Sequence, residues 1–395
     1  MPTQKHYTKR GKLPVFENDR DLQKYLETSF TESLRQLIKV TVSTMIKTEM
    51  EQFRQEFNEK LQFNGNYDRN FVSTFGEIKG VPVPRFRQSV EGMELKSMEV
   101  FDQERGKFEK LIGQMHLMGV SQRKIGQITN LCLGVKVNKN RVGAIYKELA
   151  DREEMQLNQH YIGDDFKYLL IDGLWEVTKG YGWEDNKSVL ICVLGIRANG
   201  ERKILGFKLA RKEDIANCSQ LIKSLKDRGL KGENLELVIS DDNPAFANVI
   251  QKYYPAVPIQ NCIIHKMRNV LKKTKHRNKK QIGEDLKEIF NQTDRESAIK
   301  KSKEVVKRWY MSEKTAMESL RFNLETCFTY LDFPKEIWSK IRTTNILERE
   351  FREFRRRMKV FDNTFQNPES ANRYANTITN YLNNNYPLKS LHTNA

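Results

Sequence analysis

Asp172, Asp241 and Glu348 are the residues from which this chain could build a reactive centre. Asp172 closes the apolar run Phe166-Lys-Tyr-Leu-Leu-Ile-Asp172 and is followed by Gly173. Asp241 closes a second apolar run, residues 235–240. An acid at the end of a buried strand packs poorly in a core but faces a cleft at the sheet edge well. Glu348 borders a helical apolar stripe of Leu347, Phe351, Phe354 and Met358, so it can point along a sheet. Three carboxylates converging from two strands and a helix make a hard-oxygen site suited to Mg²⁺ or Mn²⁺, two ions in the usual arrangement. Such a pair can activate a water or sugar hydroxyl and stabilise a leaving 3′ oxygen. Each acid also has an ordinary reading. Asp172 could be a turn residue before Gly173, and Asp241 the N-cap of a helix from Pro244, with Asp242 competing as ligand. Glu348 could be an i,i+4 surface partner of Arg352.

These acids need a sheet to hold them, and residues 160–265 supply one. Five runs rich in apolar and β-branched residues lie at 166–172, 188–196, 202–210, 235–240 and 257–264. The first three follow one another with only turns between, as in an antiparallel meander. Helical segments at 213–228 and 244–254 separate the later runs. The order β-β-β-α-β-α-β predicts an α/β domain with a ribonuclease H-like mixed sheet. Residues 266–340 continue as helices and read as a basic insertion, and 341–387 complete the domain with a helix at 345–358. The segment 266–280 holds eight Lys or Arg and no acid. Lys266, Arg268, Lys272 and Lys273 are its candidate phosphate contacts, or else a solvated helix face. Arg349, Arg352 and Arg355 add a second basic surface beside Glu348.

The first part of the chain is mainly helical. Residues 18–62 contain no Gly or Pro and space their apolar residues by three and four. They predict either one long self-associating helix or two helices folded together, ended by Asn64-Gly65-Asn66, and with them a homodimer or higher oligomer. Residues 63–100 hold a short β segment and linker, with two strands over 70–86 turning at Gly76 and Gly80, and Pro82 and Pro84 on an edge. Residues 101–155 predict a helix-turn-helix. Its helices lie near 107–118, 122–131 and from 138, with Ser121 as an N-cap. Lys139, Asn140 and Arg141 open the last of these, where a recognition helix meets base edges. Residues 1–17 read as a disordered basic arm and 388–395 as a tail.

Composition narrows the partners. With 68 Lys and Arg against 51 Asp and Glu, the net charge is +17, which favours a polyanion such as DNA. Five scattered cysteines without a Cys-x-x-Cys pair exclude a disulfide framework or a zinc ribbon. No run of eighteen apolar residues predicts a membrane span, and no signal peptide opens the chain, so a cytoplasmic, nucleoid-associated protein is expected.

Four segments stand out together: Asp172-Gly173, Ser240-Asp241, Cys262-x-x-His265 followed by Arg268-Asn269, and Thr344-Asn345-x-x-Glu348-Arg349. In this combination they resemble the Mutator-type transposases of bacterial insertion sequences. The acids are 69 and 107 residues apart, the longer gap holding the helical insertion. The resemblance spans most of residues 20–385 and prefers Asp241 to Asp242. It implies a DDE transposase that binds the terminal inverted repeats of its element, cleaves the 3′ ends and joins them to target DNA. It also implies a role for His265 near the scissile end, where a buried structural pair with Cys262 is the other reading, and marks Asn345 as a motif residue. Two other readings stay open: a domesticated, non-catalytic DNA-binding regulator, and a nuclease without strand transfer.

Overall fold

A computed structural model describes residues 19–56, 61–88, 94–178, 187–358, 364–365 and 367–385. The expected arm at 1–17 and tail at 388–395 lie outside them. The chain divides into two units, residues 1–146 and 147–395. Secondary structure is mixed, with a helical majority.

In the first unit, the Gly- and Pro-free stretch forms one helix, α1 (Asp19–Glu56). Val42, Ile46 and Met50 on one face are buried against a hairpin of β1 (Phe63–Ser73) and β2 (Gly76–Phe86). Each such side chain contributes about 1.5–3 kcal/mol on burial. The hairpin starts earlier than its residue pattern predicts. Asn64-Gly65-Asn66 lies inside β1 at a register shift instead of ending the helix, and Gly80 lies within β2. The turn is at Thr74-Phe75, closed by Gly76 at φ +108°; a Cβ there would meet the Arg35 guanidinium and Leu133 O at 2.5 Å.

Three helices follow: α2 (Glu99–Leu117), α3 (Gln122–Leu133) and α4 (Lys139–Gln159). The Ser121 hydroxyl caps α3 by accepting from Lys124 N, and Gly134 ends it in the left-handed region. Asn138 Oδ1 accepts from Arg141 N at the start of α4. Phe101, Phe108, Ile112, Ile125, Val142 and Ile145 are among the buried apolar residues of this trio.

The second unit carries a mixed sheet. Its strands are β3 (Phe166–Thr178), β4 (Lys187–Arg197), β5 (Arg202–Ala210), β6 (Leu237–Ser240), β7 (Ile259–Asn261) and β8 (Thr364–Phe365). The order is β5-β4-β3-β6-β7, with β3, β4 and β5 antiparallel and β6 and β7 added parallel. Between the strands run α5 (Ile215–Asp227) and α6 (Pro244–Tyr253). They pack on the face carrying Leu169, Ile171, Ile191 and Val193.

The helical segment beyond β7 comprises α7 (Ile263–Lys272), α8 (Lys279–Phe290), α9 (Arg295–Trp309), α10 (Lys314–Arg321) and the short α11 (Trp338–Ile341). The strand expected over 257–264 is thus shorter, and α7 begins three residues before the basic run. α12 (Asn345–Met358) matches its expected bounds and packs on β3. It is not the last element: β8 pairs with Val177 and Thr178 of β3, and α13 (Pro368–Asn385) follows.

One detail of the sheet sets up the site. β6 pairs only with Tyr168 to Leu170 of β3, and β8 only with Val177 and Thr178. Among the described residues no strand pairs with that edge of β3 over 171–176. Asp172 therefore does not close its strand as expected. It sits mid-strand, opposite Cys192 of β4, beside an open notch past the tip of β6.

Candidate active site

Asp172 is 7 % exposed. Its Oδ1 accepts from Gly173 N at 2.8 Å, which turns the carboxylate along the backbone of β3. Asp241 is the first residue after β6, so it enters the same notch. It does not cap α6, because Asn243 takes that place by accepting from Ala245 N.

Glu348 arrives through a junction of two helix starts. Ile263 N donates to Arg342 O at 3.1 Å, tying the start of α7 to the segment leading into α12. Thr344 N and Oγ1 both donate to Cys262 Sγ, at 3.4 and 3.5 Å. His265 and Glu348 then lie one turn into their helices, with His265 Nε2 3.4 Å from Glu348 Oε1. A further turn along α7, Arg268 Nη1 donates to the same oxygen at 2.9 Å. Cys-x-x-His and Thr-Asn-x-x-Glu are thus two halves of one clamp, and Glu348 pairs with Arg268 and His265. Ligand atoms of Asp172, His265 and Glu348 all lie within 4.8 Å of one another. Asp241 is not in that group but is close enough to feel the charges of Asp172 and His265.

The electrostatics follow from burial and crowding. Burial pushes the Asp172 carboxyl up, against the pull of His265. Asp241 is pushed up to about 7 by burial, then by the negative charges of Glu213 and Asp172. His265 is pushed up to about 9 by the Cys262 side chain, against burial, with help from Asp172 and Asp241. Burial alone would raise the Cys262 thiol, but the His265 ring and Thr344 donors more than offset it and lower it. The site gathers three carboxylates and the His265 imidazole, with Asp172 buried and Asp241, His265 and Glu348 half-buried.

An open cleft of about 590 Å³ fronts Asp172, His265 and Glu348. Asn345, Arg268, Arg349, Arg352 and Arg355 also line it, and all five are exposed. Lys272 and Lys273 are exposed as well, outside this cleft. Lys266 is a correction. It is 1 % exposed, and its ammonium bonds Asp242 Oδ2 and Phe322 O inside the fold, so it has nothing to offer a phosphate. The same bonds remove Asp242 from the ligand candidates, since its other oxygen accepts from Asn261 and Asn323. In the first unit, Lys139, Asn140 and Arg141 are exposed at the start of α4, and Arg141 pairs with Glu109 at 3.0 Å.

Glu213 has no place in the expected set. It lies between β5 and α5, with its charge felt by Asp241. The signal was the one used for the other acids, a carboxylate just past an apolar strand.

No helix among the described residues is long and apolar enough to cross a membrane. A family model described as Transposase, Mutator family, matches residues 7–388. The transposase for insertion sequence element IS905 of Lactococcus lactis is 25 % identical over 368 residues, covering 93 % of this chain and 91 % of that protein. The transposase for insertion sequence element IS256 in transposon Tn4001 of Staphylococcus aureus is 28 % identical over 391 residues, covering 95 % of each. A solved Drosophila P element transposase strand transfer complex aligns with 70 % of this chain and 80 % of that one, at 9 % identity and a TM-score of 0.30.

Proposed function

The chain belongs to the Mutator family of transposases, and on that premise we propose that its second unit cuts DNA at the 3′ ends of its element and joins them to target DNA, with Asp172, Asp241 and Glu348 as the metal-holding acids. The observation that carries this reading is the notch beside β3. Asp172 lies along it, Asp241 enters it from the tip of β6, and Glu348 is brought to Asp172 through the clamp of α7 and α12. We read the second unit as ribonuclease H-like, on the order β5-β4-β3-β6-β7 with its antiparallel first three strands.

The donor set fits Mg²⁺ or Mn²⁺. Its oxygens are carboxylates, which hard cations prefer, and the burial that raises Asp172 and Asp241 is relieved by a cation. Bound there, two such ions would activate the attacking oxygen and stabilise the leaving one. The chain's own residues do the rest. His265 offsets the charge of Asp172 and Asp241 and holds Glu348 Oε1 from one side, while Arg268 holds it from the other. Arg349, Arg352 and Arg355 give the cleft a cationic wall that accepts a phosphodiester backbone.

Domain roles follow from the same premise. We read α2, α3 and α4 as the helix-turn-helix that recognises the element ends through Lys139, Asn140 and Arg141. We read α1 as a self-association element. Phe30, Leu37, Val40 and Met45 are exposed on it, away from the residues that bury on the hairpin. Residues 266–340 serve as a helical insertion whose exposed Lys272 and Lys273 track phosphates.

The test is cleavage and joining of DNA carrying the element's ends. Asp172→Asn, Asp241→Asn and Glu348→Gln should each abolish Mg²⁺-dependent cleavage and keep end binding. Full activity after any one change sinks the three-acid assignment. A wild-type chain that binds ends without cutting them points instead to a regulator.

A further inference from the structure

β5 ends the sheet, and among the described residues no strand pairs with its outer edge. α13 lies against β5 instead. It carries four asparagines at i, i+4, i+8 and i+11: Asn372, Asn376, Asn380 and Asn383. Spacings of three and four put them on one side of the helix. Asn383 shows what such a carboxamide does at an open strand edge. Its Oδ1 accepts from Ile204 N at 2.8 Å and its Nδ2 donates to Ile204 O at 3.0 Å, as a neighbouring strand would. Asn380 Nδ2 donates to Glu153 O at 3.4 Å. The side chains of Asn372 and Asn376, earlier on the same stripe, have no hydrogen-bond partner among the described residues.

A cavity of about 170 Å³ lies where those partners would be, between residues 206–209 of β5, α5 and α13. Asn376 lines it and is 3 % exposed. A buried amide without a partner is destabilising, so its presence calls for water or a ligand in the cavity. Other unpaired side chains line the same space: Lys208, the Ser224 hydroxyl and the Glu154 carboxylate. Arg228, one turn beyond Ser224, also lines it and donates to Leu205 O. Gly206 leaves room for that guanidinium, since a Cβ there would lie 3.1 Å from Arg228 Nη2.

The lining selects a class of ligand. Carboxamides and hydroxyls both donate and accept, Glu154 only accepts, and Lys208 and Arg228 only donate. A bare oxyanion would leave the acceptors idle and meet Glu154. A flat heterocycle with an amino group, joined to a phosphate, engages all of them. Carboxamides and carboxylates pair with the edges of adenine and cytosine, and ammonium or guanidinium groups hold phosphate. Leu209 and Leu221 add apolar wall for a ring. A cavity of about 150 Å³ already admits a benzene ring, so a base fits here with its sugar and phosphate at the mouth. A peptide strand is a poorer occupant, because Asn383 closes the edge at Ile204.

We propose that the cavity between β5, α5 and α13 binds an amino-bearing nucleobase, cytosine or adenine, either of a free nucleotide or unpaired in DNA. The inference stands apart from the reading of Asp172, Asp241 and Glu348 as a metal centre.

The test is calorimetric titration of the full chain in metal-free buffer with dCMP, dTMP and inorganic phosphate, with thermal melts alongside. dCMP should bind at least about tenfold more tightly than dTMP, within the range for a mismatched base edge, and phosphate more weakly than dCMP. Asn376→Leu keeps the volume and removes both polar atoms. It should weaken dCMP at least about tenfold and melt at or above the wild-type temperature, whereas a purely structural asparagine would lose stability. Asn372→Ala, at a half-buried position, should weaken dCMP too, and it carries the comparison if Asn376→Leu melts early. A duplex with one cytosine opposite an abasic site separates the sources. Tighter binding than to the fully paired duplex, lost in Asn376→Leu, assigns the base to DNA; equal binding of the two duplexes assigns it to a free nucleotide. The inference is overturned if dCMP does not bind, if dTMP or phosphate binds as well as dCMP, or if a folded Asn376→Leu keeps the wild-type affinity. Cleavage has no part in these readouts, so any of those outcomes leaves the three-acid reading standing.

Discussion

Lys266→Met separates a scaffold role from a DNA-contact role at the head of the basic run. Lys266 and Asp242 have side-chain exposures of 2 % and 10 %, with 2.5 Å between Nζ and Oδ2. Removing the ammonium leaves Asp242 with only the side-chain amides of Asn261 and Asn323, at 2.9 and 3.0 Å. Breaking a buried pair from one side costs about 3–5 kcal/mol. The two amides that remain, and the residual exposure of Asp242, place the loss near the lower end, about 3 kcal/mol. For a unit of this size that is roughly 6–12 °C in melting temperature. The apolar replacement fills the lysine's stem volume, so little of the loss comes from a cavity. Thermal melts of the full chain should show the drop in the second unit. Adding Asp242→Asn should return part of it, because no charge is then stranded. The DNA affinity of Lys266→Met, followed against salt, should keep the wild-type slope. An unchanged melt together with a slope shallower by about 0.9 would refute the reasoning, since that is the signature of one lost phosphate contact.

Lys272→Gln should behave oppositely, with stability within about 0.5 kcal/mol of wild type and a salt slope shallower by about 0.9, read from DNA binding at several salt concentrations. Gly173→Ala would put its Cβ 1.8 Å from Glu213 Oε1 and 2.8 Å from Val189 Cγ2, so it should displace both and lower Mg²⁺-dependent cleavage at least about tenfold, the range for losing support around a metal; wild-type cleavage by a folded variant would show that the close packing at Gly173 has no bearing on the reaction. His116 is buried edge-on against Tyr146 at 4.4 Å, and burial lowers its pKa. The unfolded chain then takes up this proton first, so stability of the first unit is full above about pH 6.5 and falls as pH drops below it. Melts from pH 7.5 to 5.5 should show that fall, and His116→Phe should flatten it.

Much of the second unit was readable because its strands are buried on both faces and appear as continuous apolar runs. What a run cannot reveal is where its neighbour stops. Asp172 looked terminal because Gly173 follows it, yet the strand continues through Leu174 to Thr178. The site depends on the tip of β6, which pairs with only three residues of β3. β8 was out of reach for a related reason, since two residues carry no periodicity. Glu213 was passed over as the start of a helix, although it stands three residues past the end of β5. Its partner signal, a glycine next to an acid in mid-strand, acquires meaning only when the two elements are brought together.

The basic run shows the opposite failure, a pattern present but read too coarsely. Eight cations between 266 and 280 look like one surface, yet a helix divides them by face. Ile263, Lys266 and Val270 follow the i, i+3, i+7 spacing of a buried stripe, and all three are buried. Arg268, Lys272 and Lys273 fall outside it and are exposed. The lysine that breaks the phosphate reading also decides between the adjacent acids Asp241 and Asp242. Lys266 pairs with Asp242. Asp241 is left facing Glu213 and Asp172, where burial and like charge hold its carboxyl near 7. A fold selected for stability alone would gain by pairing both acids. Pairing one and leaving the other among carboxylates is the arrangement a site needs if its missing countercharge arrives as a cation.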